Sequence, residues 1–95
     1  MTTLAILSDI HGCLPALEQT LLQLQPYAPD YYLLLGDILN HGPRNPVPQG
    51  YAPAAVAESL NQLRTRILAV RGNCDSEVDQ VLLAFPCLSP CNFLL

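Results

Sequence analysis

Leu4-Ala5-Ile6-Leu7-Ser8-Asp9-Ile10-His11-Gly12 is the stretch from which the fold can be read. Four apolar residues in succession read as a short strand, and their continuity is what a strand buried on both faces shows. A run of small, polar and turn-forming residues then follows at once. The same arrangement recurs twice. Tyr31 to Leu35 is a second apolar run, closed by Gly36-Asp37 and then by Asn40-His41-Gly42. Ile67 to Val70 is a third, closed by Arg71-Gly72-Asn73-Cys74-Asp75.

Helical patterns separate the three runs. From Pro15 to Leu24, Leu17, Leu21 and Leu24 recur at helical spacing behind a proline that a first turn tolerates. Val56, Leu60 and Leu63 do the same from Pro53 to Leu63. A third helix is predicted from Ser76, where Ser76 and Asp79 have the spacing of a capping box. It runs through Val78, Val81 and Leu82 towards Phe85, and Pro86 stops it. Strand and helix therefore alternate β-α-β-α-β-α, which argues for an α/β fold around a parallel sheet. The stretch from Asn40 to Ala52 is a long loop carrying Gly42, Pro43, Pro46, Pro48 and Gly50. Loops of that length inside a compact domain tend to be functional or disordered. The tail from Pro86 ends in Phe93-Leu94-Leu95, and so apolar an end leads us to expect an interrupted chain.

Composition narrows the field. The chain has 95 residues, 51% of them apolar, 13% charged, with a net charge of −4. That suffices for one core and no more. The acidic balance gives no reason to expect a nucleic-acid backbone as a general partner. There is no lysine, which excludes a Walker A loop, a Schiff-base lysine and a receiver-domain lysine together. The aliphatic runs are far shorter than the roughly 20 residues a membrane span needs, so no membrane partner is expected. Asp9 and His11 arrive before a signal-peptide core could form, and a cytoplasmic location is expected. Cys13, Cys74, Cys87 and Cys91 then count as thiols; Cys87 and Cys91 are separated by three residues but have no partner pair at zinc-finger spacing.

In open α/β sheets ligands gather at the carboxyl ends of the strands, and every polar cluster of this chain occupies that position. If the strands are neighbours, Asp9, His11, Asp37 and Asn73 converge. Oxygen and imidazole donors suit a hard or borderline divalent metal, and a carboxylate can bridge two ions. Each cluster alone has a plainer reading. Asp9 could serve an Asx turn, Gly36-Asp37 is a common turn pair, and Gly72-Asn73 could simply lead into a helix. Recurrence at three successive strand ends weighs against those readings.

Asp9-x-His11, then Gly36-Asp37, then Gly72-Asn73 with Asp75 two places on, resemble in order and spacing the calcineurin-like metallophosphoesterases, and within them the small bacterial phosphodiesterases of the YfcE type. The resemblance covers essentially the whole chain. It implies an N-terminal half, residues 1–95, of a two-sheet α/β sandwich: a single incomplete domain lacking the later Gly-His and Gly-His-x-His motifs. Asp9 and His11 would bind one ion, Asp37 would bridge, and Asn73 would bind the second. The implied cofactor is two divalent ions, manganese first, with magnesium, iron or zinc able to satisfy the same donors. The implied activity is hydrolysis of a small phosphoester, a diester before a monoester. Asp37, Asn73 and Cys74 are the implied catalytic residues, and the truncated chain is expected to be inactive alone.

Cys74 departs from the family pattern, where histidine commonly follows the asparagine and can protonate a leaving oxygen. A thiol with an ordinary pKa near 8.5 fits that task less well, and Cys74 could equally be a small residue filling space. Asn40, His41 and Arg44 on the long loop are candidates to hold substrate, Arg44 through paired hydrogen bonds to a phosphate. Arg71 is read as supporting the turn at Asp75. Two other classes remain. One is a non-catalytic module that pairs with itself or with a missing half through an exposed sheet face. The other is a phospho-signalling domain with Asp37 as acceptor, which the absent lysine disfavours.

Overall fold

The computed structural model describes residues 1–42 and 45–91. Strands β1 (Leu4–Leu7), β2 (Tyr31–Leu34) and β3 (Ile67–Ala69) alternate with helices α1 (Leu14–Leu24), α2 (Pro53–Asn61) and α3 (Glu77–Leu82). The sheet order is β1-β2-β3 and both pairings are parallel. Leu4 lies opposite Tyr31, and Leu34 pairs with both Leu7 and Ala69. The predicted extra residues of β2 and β3 keep a ladder bond: Leu35 N–H donates to Leu7 at 2.9 Å and Val70 N–H to Leu34 at 3.0 Å. Pro15 and Pro53 sit in the first turns of α1 and α2, where a missing N–H costs nothing.

The strands are buried on one face only, which leaves bare the sheet face that half of a two-sheet sandwich was expected to expose. Ala5, Leu7, Leu34, Ile67 and Ala69 enter the core with Leu17 of α1 and Val56, Ala57 and Leu60 of α2. On the other face Leu4 is 41%, Ile6 64% and Leu35 51% exposed. Continuous hydrophobicity signals that both faces want cover. Here α1 and α2 cover the same one, and among the described residues nothing lies over the other.

The third helix ends earlier than Phe85. After Leu82 the backbone turns extended at Leu83 (φ −94°, ψ 130°), and side chains take over the work of the helical bonds. Asn61 of α2 donates to the Leu82 carbonyl at 2.9 Å and accepts from Ala84 N–H at 2.8 Å. Gln80 donates to the carbonyls of Leu83 and Phe85 and accepts from Cys87 N–H at 2.8 Å. With its polar groups satisfied, the segment buries Leu83, Phe85 and Cys87 at alternate positions, a strand-like period of two. The start of α3 is as predicted: the Asp79 carboxylate accepts from Ser76 N–H at 3.0 Å. Pro43, Arg44 and residues 92–95, with the apolar end at Phe93, lie outside the described residues.

Candidate functional site

The loops after the three strands are laced together beyond the sheet itself. His11 N–H donates to the Asp37 carbonyl at 2.8 Å and Gly12 N–H to the Ile38 carbonyl at 2.9 Å, so the first loop runs on beside the second. The second meets the third at Gly36 and Gly72. A Cβ on Gly36 would collide with the Gly72 backbone, and one on Gly72 with the Asp37 carboxylate. Only bare backbone allows that approach.

Asp75 locks this junction. Its carboxylate is buried and accepts three backbone N–H groups: Asp37 at 2.8 Å, Ile38 at 3.0 Å and Gly72 at 2.6 Å. Arg71 donates through Nε to the Asp75 carbonyl at 3.2 Å, the supporting role expected of it. Asp75 was legible only as a turn residue. Its spacing of three from Gly72 is the signal for a side chain that bonds back to that amide.

Asp9 (φ 56°), His11 (φ 51°) and Asp37 (φ 55°) all adopt the left-handed conformation, as does Ala28. Such conformations cost non-glycine residues about 1–2 kcal/mol each. Among the described residues, three of these four fall on candidate ligands, and strain tends to gather at functional sites.

The structure brings Asp9, His11, Asp37, Asn73 and Cys74 around one point, with Asp37 at its centre. His11 Nε2 lies 3.1 Å from Asp9 Oδ1 and 4.0 Å from Asp37 Oδ2. His11 Nδ1 is 2.9 Å from the Asn40 carbonyl; a carbonyl only accepts, so Nδ1 carries the proton and Nε2 faces the carboxylates. That is how a metal-binding histidine is usually held, its other nitrogen tied to a carbonyl. The Asn40 bond, ahead of the neighbouring carboxylates, raises the His11 pKa above its ordinary value. The Ser8 hydroxyl, donating to Asp9 at 2.8 Å, leads in lowering that of Asp9.

The Asn73 carboxamide faces both Asp37 oxygens, at 2.7 and 3.0 Å. With its nitrogen turned inward it donates to both. The imidazole, carboxylate and thiol of His11, Asp37 and Cys74 each bring a ligand atom within 4.8 Å of the others, a donor set that fits a divalent ion. Asp37 Oδ1 accepts from Cys74 N–H at 2.7 Å. Burial, then the Asp37 charge, pushes the Cys74 thiol up from its ordinary pKa.

Asn40 and His41 border the site. Asn40 Oδ1 accepts from Gly42 N–H at 2.9 Å, which folds the loop back. His41 Nδ1 is 3.2 Å from the Asn45 carbonyl, and its ring meets Tyr51 edge-on at 5.2 Å. His11, His41, Asn45, Pro46 and Pro48 line a groove of about 220 Å³. Tyr51 went unnoticed in the sequence, although an aromatic residue closing a proline-rich loop was the available signal. Arg44 lies outside the described residues. A larger cavity of about 770 Å³ opens at the opposite end of the sheet, between Thr2, Asp30, Tyr31 and Arg66, far from this chemistry.

The chain as a whole is similar to known proteins. The family model for calcineurin-like phosphoesterases matches residues 2–93. Phosphodiesterase YfcE of Escherichia coli strain K12 is 56% identical over 90 residues, which is 95% of this chain and 49% of that protein. The protein of the same name from strain O157:H7 gives the same figures. The solved structure of Yfce, a phosphoesterase from E. coli, superimposes with a TM-score of 0.92 at 53% identity, covering 97% of this chain and 50% of that one. The chain thus spans about half the length of the curated relatives it matches.

Proposed function

Since the chain belongs to the calcineurin-like phosphoesterase family, we propose that residues 1–95 supply the first part of a metal-dependent phosphodiesterase site. The carrying observation is the position of Asp37, whose carboxylate faces His11 Nε2 on one side and the Asn73 carboxamide on the other. Asp9 and His11 would hold one divalent ion, Asn73 a second, and Asp37 both. Bound ions supply Lewis-acid chemistry to a phosphoryl group and acidify water. Manganese is our first choice.

The chain's own residues prepare that site. Asp75 fixes the Asp37 backbone, Asn40 sets the His11 tautomer, and Ser8 keeps Asp9 ionised. His41 borders the groove in which a small phosphoester would lie, and Asn40 and Arg44 on the same loop would add contacts to it. Asn73 orients towards Asp37, and Cys74 stands beside it where a leaving oxygen would depart. Two ions want about four to six donors each, whereas Asp9, His11, Asp37 and Asn73 offer four side chains. The chain alone should therefore hydrolyse a diester poorly or not at all.

Calorimetry with manganese tests the reading. The chain should bind one ion weakly, and Asp37→Asn, which keeps size and tolerates the left-handed backbone, should weaken binding by tenfold or more. Unchanged affinity in that variant would remove Asp37 from the bridging position.

The bare sheet face supports a second reading, a non-catalytic module that self-associates. Ile6 is 64% exposed on its edge strand, in a row with half-buried Leu33 and Leu68. Contiguous apolar surface of this kind marks interaction sites.

A further inference from the structure

We propose that the outward face of α3, together with the groove between α2 and α3, is a docking surface for a second copy of this chain, joined about a two-fold axis near Leu82. The surface is separate from the metal site and from the bare sheet face. It rests on an inversion in α3. A surface helix ordinarily turns its apolar stripe inward and its polar residues out. In α3 the reverse holds: Val78, Val81 and Leu82, spaced to share one face, are 71%, 84% and 45% exposed, whereas Asp79 is buried.

Internal bonds hold the helix in that orientation. Asp79 accepts from Ser76 N–H at 3.0 Å, and Gln80 serves the carbonyls of Leu83 and Phe85 and the Cys87 amide. Rolling α3 to bury its valines would break these bonds and strand polar groups in the core. Valine is also among the weaker helix formers, so two of them on the outer side of a six-residue helix do nothing for the helix itself. Contiguous exposed apolar side chains of this kind mark contact surfaces.

Charge chooses the occupant. Beside the stripe lies a groove of about 400 Å³ whose walls include Ala57, Glu58, Asn61, Arg64 and Leu82. Asn61 stands three residues from Glu58 and three from Arg64, and its carboxamide holds the Leu82 carbonyl at 2.9 Å. An axis near Leu82 therefore passes between one acid and one base, both exposed. Rotation about it sets Glu58 of each copy against Arg64 of the other, with the apolar stripes packed alongside. Two-fold contacts join the same patch on both subunits, and opposite charges at the rim fix the register. Because α3 is tied to α2 through Asn61, the patch is on the helical side, and a layer over the bare sheet face leaves it open. It is small beside the roughly 800 Å² per partner of a standard interface, so the dimer is weak and forms only in concentrated solution.

Sedimentation equilibrium of the 95-residue chain carrying Ile6→Glu, which blocks the bare sheet face, tests the proposal between about 20 μM and about 1 mM. That protein should be monomeric at the dilute end and increasingly dimeric at the concentrated end. Adding Val81→Glu should weaken the dimer about tenfold or more, since a charge then enters an apolar contact, with Tm within about 3 °C. Val81→Gln, which keeps the helix and adds no charge, should weaken it in the same direction if the glutamate variant melts early. Glu58→Arg should weaken the dimer about threefold or more, and Arg64→Glu added to it should restore the association. A monomer at every concentration would overturn the proposal, and so would a dimer indifferent to both Val81 changes. A dimer that the double charge exchange does not restore would overturn the two-fold arrangement and with it the second copy as the occupant.

Discussion

Replacing Asp75 should damage the molecule more than replacing any of the ligands it serves. Its carboxylate is 3% exposed and receives three amide protons from two different loops. Hydrogen bonds to a charged group are worth about 1.5–3 kcal/mol each, and a buried donor left unpaired costs about 1–3 kcal/mol. The three bonds share one acceptor, so they do not add fully, and Asp75→Ala should cost about 3–5 kcal/mol. Domains of this size have about 5–14 kcal/mol in all, so that variant is expected to populate unfolded chain. Asp75→Asn is the more informative change. Its remaining oxygen can keep the Asp37 and Gly72 bonds, while its amide nitrogen confronts the Ile38 N–H. A loss of about 2 kcal/mol follows, lowering Tm by about 8–16 °C. Asp37 is held at φ 55°, a conformation with its own cost, and the weakened anchor should loosen it first. Circular-dichroism melts measure the stability, and hydrogen exchange at the amides of Asp37, Ile38 and Gly72 locates the loss. A Tm within about 3 °C of the parent, with exchange at those amides unchanged, would refute the reasoning.

The bare sheet face should make the chain self-associate, and Ile6→Glu, at a position 64% exposed, should shift it to monomer on size-exclusion chromatography; a parent that already elutes as a sharp monomer contradicts this. Cys87 is fully buried and its pKa is raised to about 11, chiefly by that burial, so iodoacetamide at pH 8 should label exposed Cys91 while sparing Cys87 until urea unfolds the chain. Equal labelling rates by mass spectrometry would mean that the 83–87 segment does not hold its place. In metal-free solution His11 binds its proton more tightly folded than unfolded, since its pKa is raised above 6.5. The stability it adds should be complete below about pH 6.5 and fade as pH rises through the folded value, and His11→Gln should remove that slope from the melting curves.

The sequence announced what depends on local chemistry. Pro15 and Pro53 marked helix starts because a proline is tolerated where no amide bond is needed. Asp9, His11, Asp37 and Asn73 were legible because each follows an apolar run at the end where parallel strands expose their loops. What the sequence withheld depends on distant partners. Nothing local in Asn61 says that its carboxamide will help end α3 after Leu82, because the groups it satisfies lie more than twenty residues away. Asp75 looked like a turn residue, since the Asp37 and Ile38 amides it accepts lie more than thirty residues away. The continuous hydrophobicity of β1 to β3 stated correctly what those strands prefer to bury, but not that their own crossovers cover one side only.

That one-sidedness has a topological origin. The strands stand in the sheet in chain order, each joined to the next by a parallel crossover. Crossovers of this kind are overwhelmingly right-handed, and two taken in the same direction deliver both connecting helices to the same side. No change in the length or composition of those connections can send a helix to the far side; that would require the strand order to reverse direction. The two faces are therefore independent under variation. Insertions between β1 and β3 can accumulate on the helical side without ever competing for the other, and whatever covers the far face can change without disturbing the crossovers.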